Sequence, residues 1–286
     1  MGKVDPTMSG PAGIIARQAS AVAMLARCLT CRRGLLGRNS CASCGRSYPE
    51  VDRILEAIGP LTGTNRIAAA FYDGPSWRRF RPWERLFLWF QGPGPDRARR
   101  QVLRHLPEQP GALVLEVGIG DGENVRRLPS DWAIYGVDIS RTQLAACRDR
   151  FPVMAGRLVR AEAEDLPFED ETFDAVFSVG GFNYYRDHAA ALREMRRVAR
   201  LGAPVIVADE LPDLYHFAPG SAIGLEGLDR WGLRAMGLDP EFLAMVTDHR
   251  VDIDSLAQAE WPGHRRFPIW NRLGYCLVDD GLPEGA

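Results

Sequence analysis

Residues 112–124 read ALVLEVGIGDGEN, and the fold prediction starts from this segment. The run from Ala112 to Val117 is apolar except for Glu116, and glycine then occupies every second position from Gly118 to Gly122. A short apolar run bounded by a turn is typical of a buried strand, and glycine tolerates backbone conformations that other residues avoid. The segment therefore predicts a buried strand that leads into a tight turn.

Strand and helix patterns alternate after this turn. Ser140 has the side chain of a helix N-cap, and apolar residues recur at helical spacing in the segment that follows Asp187. Alternating strands and helices indicate βαβ units and a parallel, doubly wound sheet. The predicted elements are strands at 132–138, 158–162, 173–179 and 204–208, helices at 140–150 and 187–200, and two closing strands within 266–279.

The glycine-rich turn does not fit the common nucleotide-binding patterns. In the GxGxxG frame that starts at Gly118, the third glycine position is Glu123, and a carboxylate there would repel a pyrophosphate at a helix N-terminus. The phosphate-binding loop pattern also fails, because no GK[ST] tripeptide follows. These two classes of nucleotide site are therefore excluded by the sequence.

The pattern that fits is E-x-G-x-G-x-G, which resembles motif I of class I S-adenosylmethionine (SAM) methyltransferases. The resemblance implies a Rossmann-like fold in which the glycines let the sugar and methionine moieties approach the backbone. It also implies that a carboxylate at the end of the strand meets the ammonium group of SAM. The implied cofactor residues in this turn are Glu116, Gly118, Gly120 and Gly122.

Three later motifs extend the resemblance through residues 66–210. Asp138 ends the second strand, where the family places an acid that accepts both ribose hydroxyls. Residues 161–168 (AEAEDLPF) are similar to the family segment that meets adenine, and 173–187 to the segment that covers the methionine end. The subgroup most similar is the ubiquinone/menaquinone-biosynthesis type, although 181–187 lacks its Arg-Asn pair. The further cofactor residues implied are Ile139, Glu162, Ala163 and Ser178.

Four cysteines form two CxxC pairs near the start of the chain. Cys28, Cys31, Cys41 and Cys44 have the spacing of a closed tetrahedral Zn²⁺ site, which predicts a structural and not a catalytic metal. A redox dithiol and an iron–sulfur cluster are the alternatives. Residues 44–54 resemble the end of small zinc-ribbon proteins that partner tRNA and rRNA methyltransferases. The predicted fold is therefore α/β, a Rossmann-like doubly wound, mostly parallel seven-stranded sheet with helices on both faces, plus a small N-terminal zinc ribbon.

These patterns divide the chain into four parts. We expect a flexible tail at 1–23, a zinc ribbon at 24–50, a helical connector or substrate cap at 51–104, and a SAM-dependent methyltransferase domain at 105–286 with a lid at about 211–247. Residues 24–104 hold 15 Arg against six acids, a net charge of +9, whereas residues 105–286 carry −12. If the protein binds an anionic surface, we expect residues 24–104 to make the contact.

No sequence motif identifies the residues that bind the methyl acceptor. Tyr184, Tyr185 and His216 are the candidate catalytic residues, since each follows a predicted strand near the mouth of the site and a base would assist methylation of a phenol or an activated carbon. For the two tyrosines the alternative is that they only line the pocket. Asp209 and Glu210 are also placed there, and a capping or hydrogen-bonding role is the alternative to catalysis for both. No NPPY or DPPY tetrapeptide follows the fourth strand, and the catalytic half is acidic, so base methylation is disfavoured.

The sequence therefore predicts methyl transfer from SAM to carbon or oxygen of an apolar small molecule or lipid-like metabolite. The first alternative is rRNA or tRNA methylation with an Arg-rich ribbon that grips the phosphate backbone. The second alternative is a protein that binds SAM without methylating anything. A small apolar acceptor is the expected partner, and nucleic acid is the disfavoured one.

Residues 77–90 suggest a contact with a membrane surface. This segment holds six aromatic residues and four arginines, with Phe80 and Trp83 predicted to be buried and Trp77 and Trp89 to face a lipid surface. The alternative is an ordinary helix packed on the sheet.

Arg17 and Gln18 interrupt the only N-terminal apolar stretch, so no export signal is expected. We expect a cytoplasmic protein that is peripheral at the membrane if the helix at 77–90 binds lipid.

Overall fold

The computed structural model describes residues 20–90, 94–212, 226–248 and 251–281. One sheet runs through these residues, and its strands are β1 (Glu50–Val51), β2 (Ile54–Glu56), β3 (Leu113–Val117), β4 (Ala133–Asp138), β5 (Leu158–Arg160), β6 (Ala175–Val179), β7 (Val205–Glu210), β8 (Arg265–Ile269) and β9 (Gly274–Asp279). The α-helices are α1 (Ala21–Leu25), α2 (Gly63–Asp73), α3 (Pro75–Phe90), α4 (Pro95–Leu103), α5 (Arg141–Arg150), α6 (His188–Val198), α7 (Glu226–Ala235), α8 (Pro240–Asp248) and α9 (Ile253–Glu260).

The strand order is β1-β2-β5-β4-β3-β6-β7-β9-β8. Strands β2 to β7 pair in parallel, while β1, β8 and β9 pair antiparallel at the two edges. The chain winds outward from β3 in one direction and from β6 in the other, so the topological switch point lies between these two strands. The predicted doubly wound fold is confirmed, and this switch point is where ligands bind in such sheets.

The predicted helix starts are also confirmed. The Ser140 hydroxyl accepts a hydrogen bond from the backbone N–H of Gln143 at 3.1 Å, which caps α5. Asp187 caps α6 in the same way, since its carboxylate accepts from the N–H of Ala190 at 2.9 Å. Both helices therefore begin where a polar side chain caps the N–H groups of the first turn, which is a signal that the local sequence contains.

Two strands were not predicted. β1 and β2 follow the four cysteines, at the end of residues 24–50, which we call the cysteine module, and at the start of the expected helical connector. Ile54 of β2 pairs in parallel with Leu158 of β5. The two strands enlarge the expected seven-stranded sheet to nine within the described residues. Both strands are too short to give a periodic signal, and β5, the parallel partner of β2, lies about 100 residues further along the sequence. The cysteine module is thus joined directly to the sheet.

The expected flexible tail differs at its end. Residues 1–19 lie outside the described residues, but residues 20–23 are ordered at the start of α1. Val22 and Ala23 are fully buried, and the N–H of Val22 donates to the carbonyl of Gly156 at 2.9 Å. Burial of these small apolar side chains stabilises the segment just before Met24.

The core consists of two apolar layers on opposite faces of the sheet. Along β3, Val114 packs into one layer, while Leu115 and Val117 pack into the other, as the alternation of a strand requires. The layer with Leu115 also contains Leu35 and Tyr48 of the cysteine module. The module therefore shares its apolar core with the sheet.

A third apolar cluster caps the carboxyl ends of the strands. Phe71 of α2 stacks on Phe242 of α8 with ring centroids 3.8 Å apart, and Trp77 and Phe80 of α3 pack around them. The predicted lid at 211–247, in its described part, thus packs against the predicted connector as one cap. Among the described helices, none combines the length and apolarity needed to cross a bilayer.

Candidate active site

A cavity of 470 Å³ opens at the carboxyl edge of the sheet, beside the switch point between β3 and β6. Its floor is the glycine-rich turn and the ends of β4 and β6, and its roof is formed by α2, α3 and the start of α4. This volume is within the range of small-molecule sites. Of the predicted site residues, the cavity is lined by Glu116, Gly118, Gly120, Asp138, Ile139, Ala163, Tyr184 and Tyr185.

The three glycines of the turn have different surroundings. Gly118, Gly120 and Gly122 all adopt positive φ values, between 56° and 78°, which side chains other than glycine rarely accept. A Cβ on Gly120 would meet no atom within 4 Å, so its backbone is open to the cavity. A Cβ on Gly122 would lie 2.8 Å from Cys147 Sγ, and Gly122 does not line the cavity. Gly122 therefore allows the turn to pack against α5.

Glu116 is buried beneath the turn, and only one of its two carboxylate oxygens accepts a hydrogen bond from the described residues. Asn124 Nδ2 donates to Glu116 Oε1 at 2.6 Å, whereas Oε2 has no hydrogen-bond partner among the described residues. Burial raises the pKa of Glu116 to about 8, against the opposing effects of Asn124 and Arg99. A buried acceptor without a donor, facing a cavity, fits the ammonium group of SAM.

Asp138 lines the cavity next to the turn, and its carboxylate accepts two backbone hydrogen bonds, one of them from the turn. Its Oδ2 accepts from the N–H of Gly120, and its Oδ1 from the N–H of Ser140, both at 2.8 Å. Burial raises the pKa of Asp138 to about 6, although these two backbone donors oppose the shift. Each oxygen retains a second acceptor position, so the carboxylate can also accept from two vicinal hydroxyls. These residues fit the ribose of SAM.

The predicted adenine contacts are divided. Ile139 and Ala163 line the cavity, but Glu162 does not. Asn65 Nδ2 donates to Glu162 Oε1 at 2.9 Å and to Glu164 Oε1 at 3.0 Å. Asn65 is buried and lines the cavity from α2, so it presents a polar group that the sequence reasoning missed. An Asn near the start of a helix gives no signal for a contact across 97 residues of sequence.

Residues at the carboxyl ends of β6 and β7 and in the loop after β6 form a hydrogen-bonded wall. Ser178 is fully buried, and its Oγ lies 3.1 Å from the Tyr185 hydroxyl, which in turn sits over Gly118. The Tyr184 hydroxyl donates to Glu210 Oε1 at 2.8 Å. Asp209 is fully buried and accepts from the N–H groups of Asn183 and Glu210, both at 2.9 Å.

These contacts separate the candidates for acid–base chemistry. Burial raises the pKa of Tyr185 beyond its usual range, so this phenol stays protonated at neutral pH. Asp209 uses both oxygens to fix the backbone after β6 and β7, which supports the hydrogen-bonding role given to it. Tyr184 reaches the cavity from the loop after β6. His216, the third candidate, lies outside the described residues.

Helix α3 forms the roof with one face and meets solvent with the other. Trp77, Phe80, Arg81 and Glu84 point inward, and Arg81 and Arg85 pair with Asp121 and Glu123 of the glycine-rich turn, the second pair at 3.3 Å. The expected orientation is therefore wrong for two tryptophans. Trp83 is 42% exposed, while Trp77 packs edge-on against Tyr72 with ring centroids 5.0 Å apart.

The four clustered cysteines converge on one point. Their sulfurs all lie within 4.8 Å of one another, with Cys28 Sγ to Cys44 Sγ at 3.5 Å and Cys31 Sγ to Cys41 Sγ at 3.3 Å. Sulfurs at the corners of a tetrahedron with Zn–S bonds of about 2.3 Å are about 3.8 Å apart. The spacing of the thiols therefore fits a four-coordinate zinc ion.

The backbone around the cysteines is built of two similar turns. The N–H of Arg32 donates to the carbonyl of Cys28 and that of Gly45 to the carbonyl of Cys41, both at 2.9 Å. The Tyr48 hydroxyl donates to Cys28 Sγ at 3.2 Å. Burial opposes ionisation of Cys28, but this bond and backbone N–H groups outweigh it and lower its pKa to about 6. Thiolates are the form that binds metal.

The chain was compared with known proteins. Residues 115–207 match the family model described as a methyltransferase domain. A demethylmenaquinone methyltransferase of Roseiflexus castenholzii is 34% identical over 201 residues, which are 66% of this chain and 80% of that protein. This chain belongs to the SAM-dependent methyltransferases. The residues that match the family model, 115–207, include the glycine-rich turn, Asp138 and strands β4 to β6.

Other relatives and structures match less of their own length. A fatty-acid O-methyltransferase of Mycolicibacterium smegmatis is 35% identical over 105 residues, which are 36% of this chain and 38% of that protein. The chain spans about half the length of several other curated methyltransferases that it matches. The solved phosphoethanolamine N-methyltransferase 2 of Haemonchus contortus aligns with 72% of this chain and 46% of its own at 16% identity, with a TM-score of 0.50. That likeness concerns the fold alone.

Proposed function

We propose that this protein transfers a methyl group from SAM to carbon or oxygen of an apolar small molecule or lipid-like metabolite. One observation carries the proposal: a single cavity joins Glu116 and Asp138, which fit SAM, to the aromatic side chains Tyr72, Trp77 and Tyr184 of the cap. Relatives named for demethylmenaquinone and for fatty acids support an apolar acceptor. The cap would then exclude water from the reacting groups.

The residues divide the work of binding. SAM supplies an electrophilic methyl group on a sulfonium centre. Glu116 is proposed to hold its ammonium group, Asp138 its ribose, and Ile139 and Ala163 its adenine, with Gly118 and Gly120 giving backbone approach. Such transfer depends on in-line positioning more than on acid–base power, so a rigid cavity edge is the main requirement. Tyr184 and Tyr185 are proposed to orient the acceptor.

Nucleic acid is less well supported as an acceptor. The module's Arg27 and Arg32 are paired with Asp170 at 3.0 Å and Asp165 at 2.6 Å of the methyltransferase domain, so part of its positive charge is neutralised internally. Phosphate binding requires unpaired cations on the surface. The RNA contact of the alternative function therefore lacks two of the arginines on which it would depend.

Labelled SAM distinguishes these functions. The protein is incubated with methyl-labelled SAM and either a host lipid extract or host RNA, and we expect label in the organic phase. Label in RNA, with binding that weakens steeply as salt rises, would favour the nucleic-acid alternative. Binding of S-adenosylhomocysteine without label in either fraction would leave a protein that binds SAM without transferring its methyl group. Asp149→Ala, on the exposed side of α5, serves as the matched variant that should retain activity.

We also propose that Cys28, Cys31, Cys41 and Cys44 hold a structural Zn²⁺. Four sulfurs that converge within 4.8 Å support a closed tetrahedral site. With all four positions taken by thiolates, no ligand position remains for substrate, so the metal would stabilise the module and take no part in methyl transfer.

Contact with a membrane surface is a further part of this proposal, and the outer face of α3 supports it. Trp83, Leu86 and Trp89 are 42%, 42% and 72% exposed, and Arg78 and Arg79 lie exposed on the same face without an ion pair in the described residues. Apolar side chains flanked by arginines are typical of helices that lie at an anionic lipid surface. Trp89 also lines the cavity, so this face is continuous with the acceptor site.

The membrane contact predicts liposome binding. Vesicles with phosphatidylglycerol should sediment the protein at low salt, and Trp83→Ala with Trp89→Ala should weaken this partitioning at least about tenfold, because two large apolar side chains leave the interface. The affinity for S-adenosylhomocysteine should change little. Leu201→Ala removes another exposed apolar residue and should bind like the wild type. Equal sedimentation of the double variant would contradict the contact.

A further inference from the structure

The inner face of α3 brings a carboxylate into the acceptor end of the cavity. Glu84 lies about one turn after Arg81, so both face the site, and its side chain lines the same cavity as Glu116 and Tyr184. Within the described residues, the Glu84 carboxyl makes no ion pair or hydrogen bond. Glu84 is partly buried, and an acid that lines a binding cavity without a protein partner is available to a polar group of a ligand.

Charged groups from three elements influence the pKa of Glu84. They belong to Arg99 of α4, Glu210 at the end of β7, and Arg81 and Arg85 of its own helix. Arg99 also acts on Glu116, and Glu210 binds the Tyr184 hydroxyl. Glu84 thus shares the influence of Arg99 with Glu116, the proposed ammonium ligand, and lines the cavity together with Tyr184, where an acceptor would enter. Asp138, the proposed ribose acid, is not among the main charges acting on it.

We propose that Glu84 is the catalytic base, which takes the proton from an acidic hydroxyl of the methyl acceptor. This inference rests on the proposed function. As the hydroxyl O–H bond breaks, its electron pair stays on the acceptor and the proton passes to a carboxylate oxygen of Glu84. The acceptor oxygen or a conjugated ring carbon forms the new bond to the methyl carbon, and the electrons of the S–CH₃ bond remain on sulfur.

The proton then leaves by one of two routes. After O-methylation, Glu84 releases it to solvent. After C-methylation, the ring carbon loses its own hydrogen as a proton while Glu84 returns one to the oxygen, which restores the aromatic ring. In both cases the products are the methylated acceptor, S-adenosylhomocysteine and one proton, so no oxidant or reductant is required.

Other acids and phenols near the site are less suited to this step. Tyr185 is held protonated by burial, Asp209 uses both oxygens on backbone N–H groups, and Glu210 accepts the Tyr184 hydroxyl. Burial raises the pKa of Glu84 to about 7, with Glu210 adding to the shift and Arg99, Arg81 and Arg85 opposing it. A base with a pKa near the working pH is the most effective one.

The first test follows Glu84 without turnover. Protein with ¹³C-carboxyl-labelled glutamate is saturated with S-adenosylhomocysteine, and the resonance missing from Glu84→Gln assigns the residue. We expect it to titrate near pH 7 and, on addition of 2-naphthol, to titrate at least about half a unit lower, because a hydroxyl that donates to a carboxylate favours its charged form. An unchanged titration with 2-naphthol bound would overturn the proposal.

The second test uses methyl transfer to 2-prenyl-1,4-naphthohydroquinone kept reduced by dithiothreitol. Glu84→Gln should lower kcat at least about 100-fold, the usual contribution of a general base. Glu84→Asp should recover part of it, and the affinity for S-adenosylhomocysteine should stay within about twofold. The wild-type rate should rise with pH through about 7, since the carboxylate form is the active one, and the rate of Glu84→Gln should not follow this rise.

Controls separate the two proposals. Glu108→Gln removes an exposed glutamate outside the cavity and should behave as the wild type. A Glu84→Gln variant with normal kcat and an unaltered pH profile would overturn the role of Glu84 while leaving methyl transfer intact. If the wild type methylates neither the hydroquinone nor any extract, the proposed function fails instead, and the naphthol titration alone then decides whether Glu84 meets an acceptor hydroxyl.

Discussion

Asp138→Ala should weaken the binding of SAM and S-adenosylhomocysteine at least about 100-fold. The carboxylate is proposed to accept from both ribose hydroxyls, and two charge-assisted hydrogen bonds contribute about 1.5–3 kcal/mol each. The same side chain fixes the N–H groups of Gly120 and Ser140, both at 2.8 Å, so its loss also loosens the turn that faces the ligand. Titration calorimetry with S-adenosylhomocysteine measures the effect.

A milder variant separates the two roles of Asp138. Asp138→Asn retains an oxygen for one backbone donor but removes the charge, so it should bind more weakly than the wild type and more tightly than Asp138→Ala. Asp149→Ala is the matched control, because Asp149 is an exposed acid on α5 that pairs with Arg148 at 2.6 Å. An affinity of Asp138→Ala within threefold of the wild type, roughly 0.7 kcal/mol, would remove Asp138 from the proposed site.

The fold and the cofactor edge were accessible from the sequence because their signals are local. The apolar run before Gly118, the acid at Asp138 and the cap at Ser140 each express a requirement of the adjacent backbone. In parallel sheets the carboxyl ends of neighbouring strands meet at one edge, so four motifs in order are sufficient to place the turn, Asp138 and Ala163 around one cavity. Long-range geometry follows from topology in this case.

The acceptor side was not accessible in this way. Helix α3 carries tryptophans on both faces, so the period of its aromatic residues does not say which face meets the cavity. Trp83 was expected inside and lies outside, and Glu84, one residue later, faces the site. Asn65 likewise meets Glu162 only through the packing of α2. These positions depend on how the connector and the lid pack, which no local pattern encodes.

The cysteine module gives the second large effect. Purified protein should contain about one Zn²⁺ per chain, and Cys41→Ser should lose it, because a closed site with three thiolates binds zinc far more weakly than one with four. Structural zinc contributes about 10 kcal/mol or more to folding in zinc-finger peptides. We therefore expect residues 28–48 of Cys41→Ser to become sensitive to protease, with metal analysis and limited proteolysis as the measurements.

From the sequence, the methyltransferase core is expected to survive this loss, because its strands do not depend on the cysteines. The packing of the module on the sheet modifies that expectation. Leu35 and Tyr48 share an apolar layer with the sheet, Ala26 forms a bridge with Phe168, and Arg27 pairs with Asp170 at 3.0 Å. Unfolding the module exposes this layer, so Cys41→Ser should also melt several degrees lower as a whole while it still binds S-adenosylhomocysteine at low temperature. Ser43→Ala, an exposed position of the same turn, should keep both metal and melting temperature. Metal retained by Cys41→Ser, or wild-type protein purified with iron in place of zinc, would show that the four thiols serve another purpose.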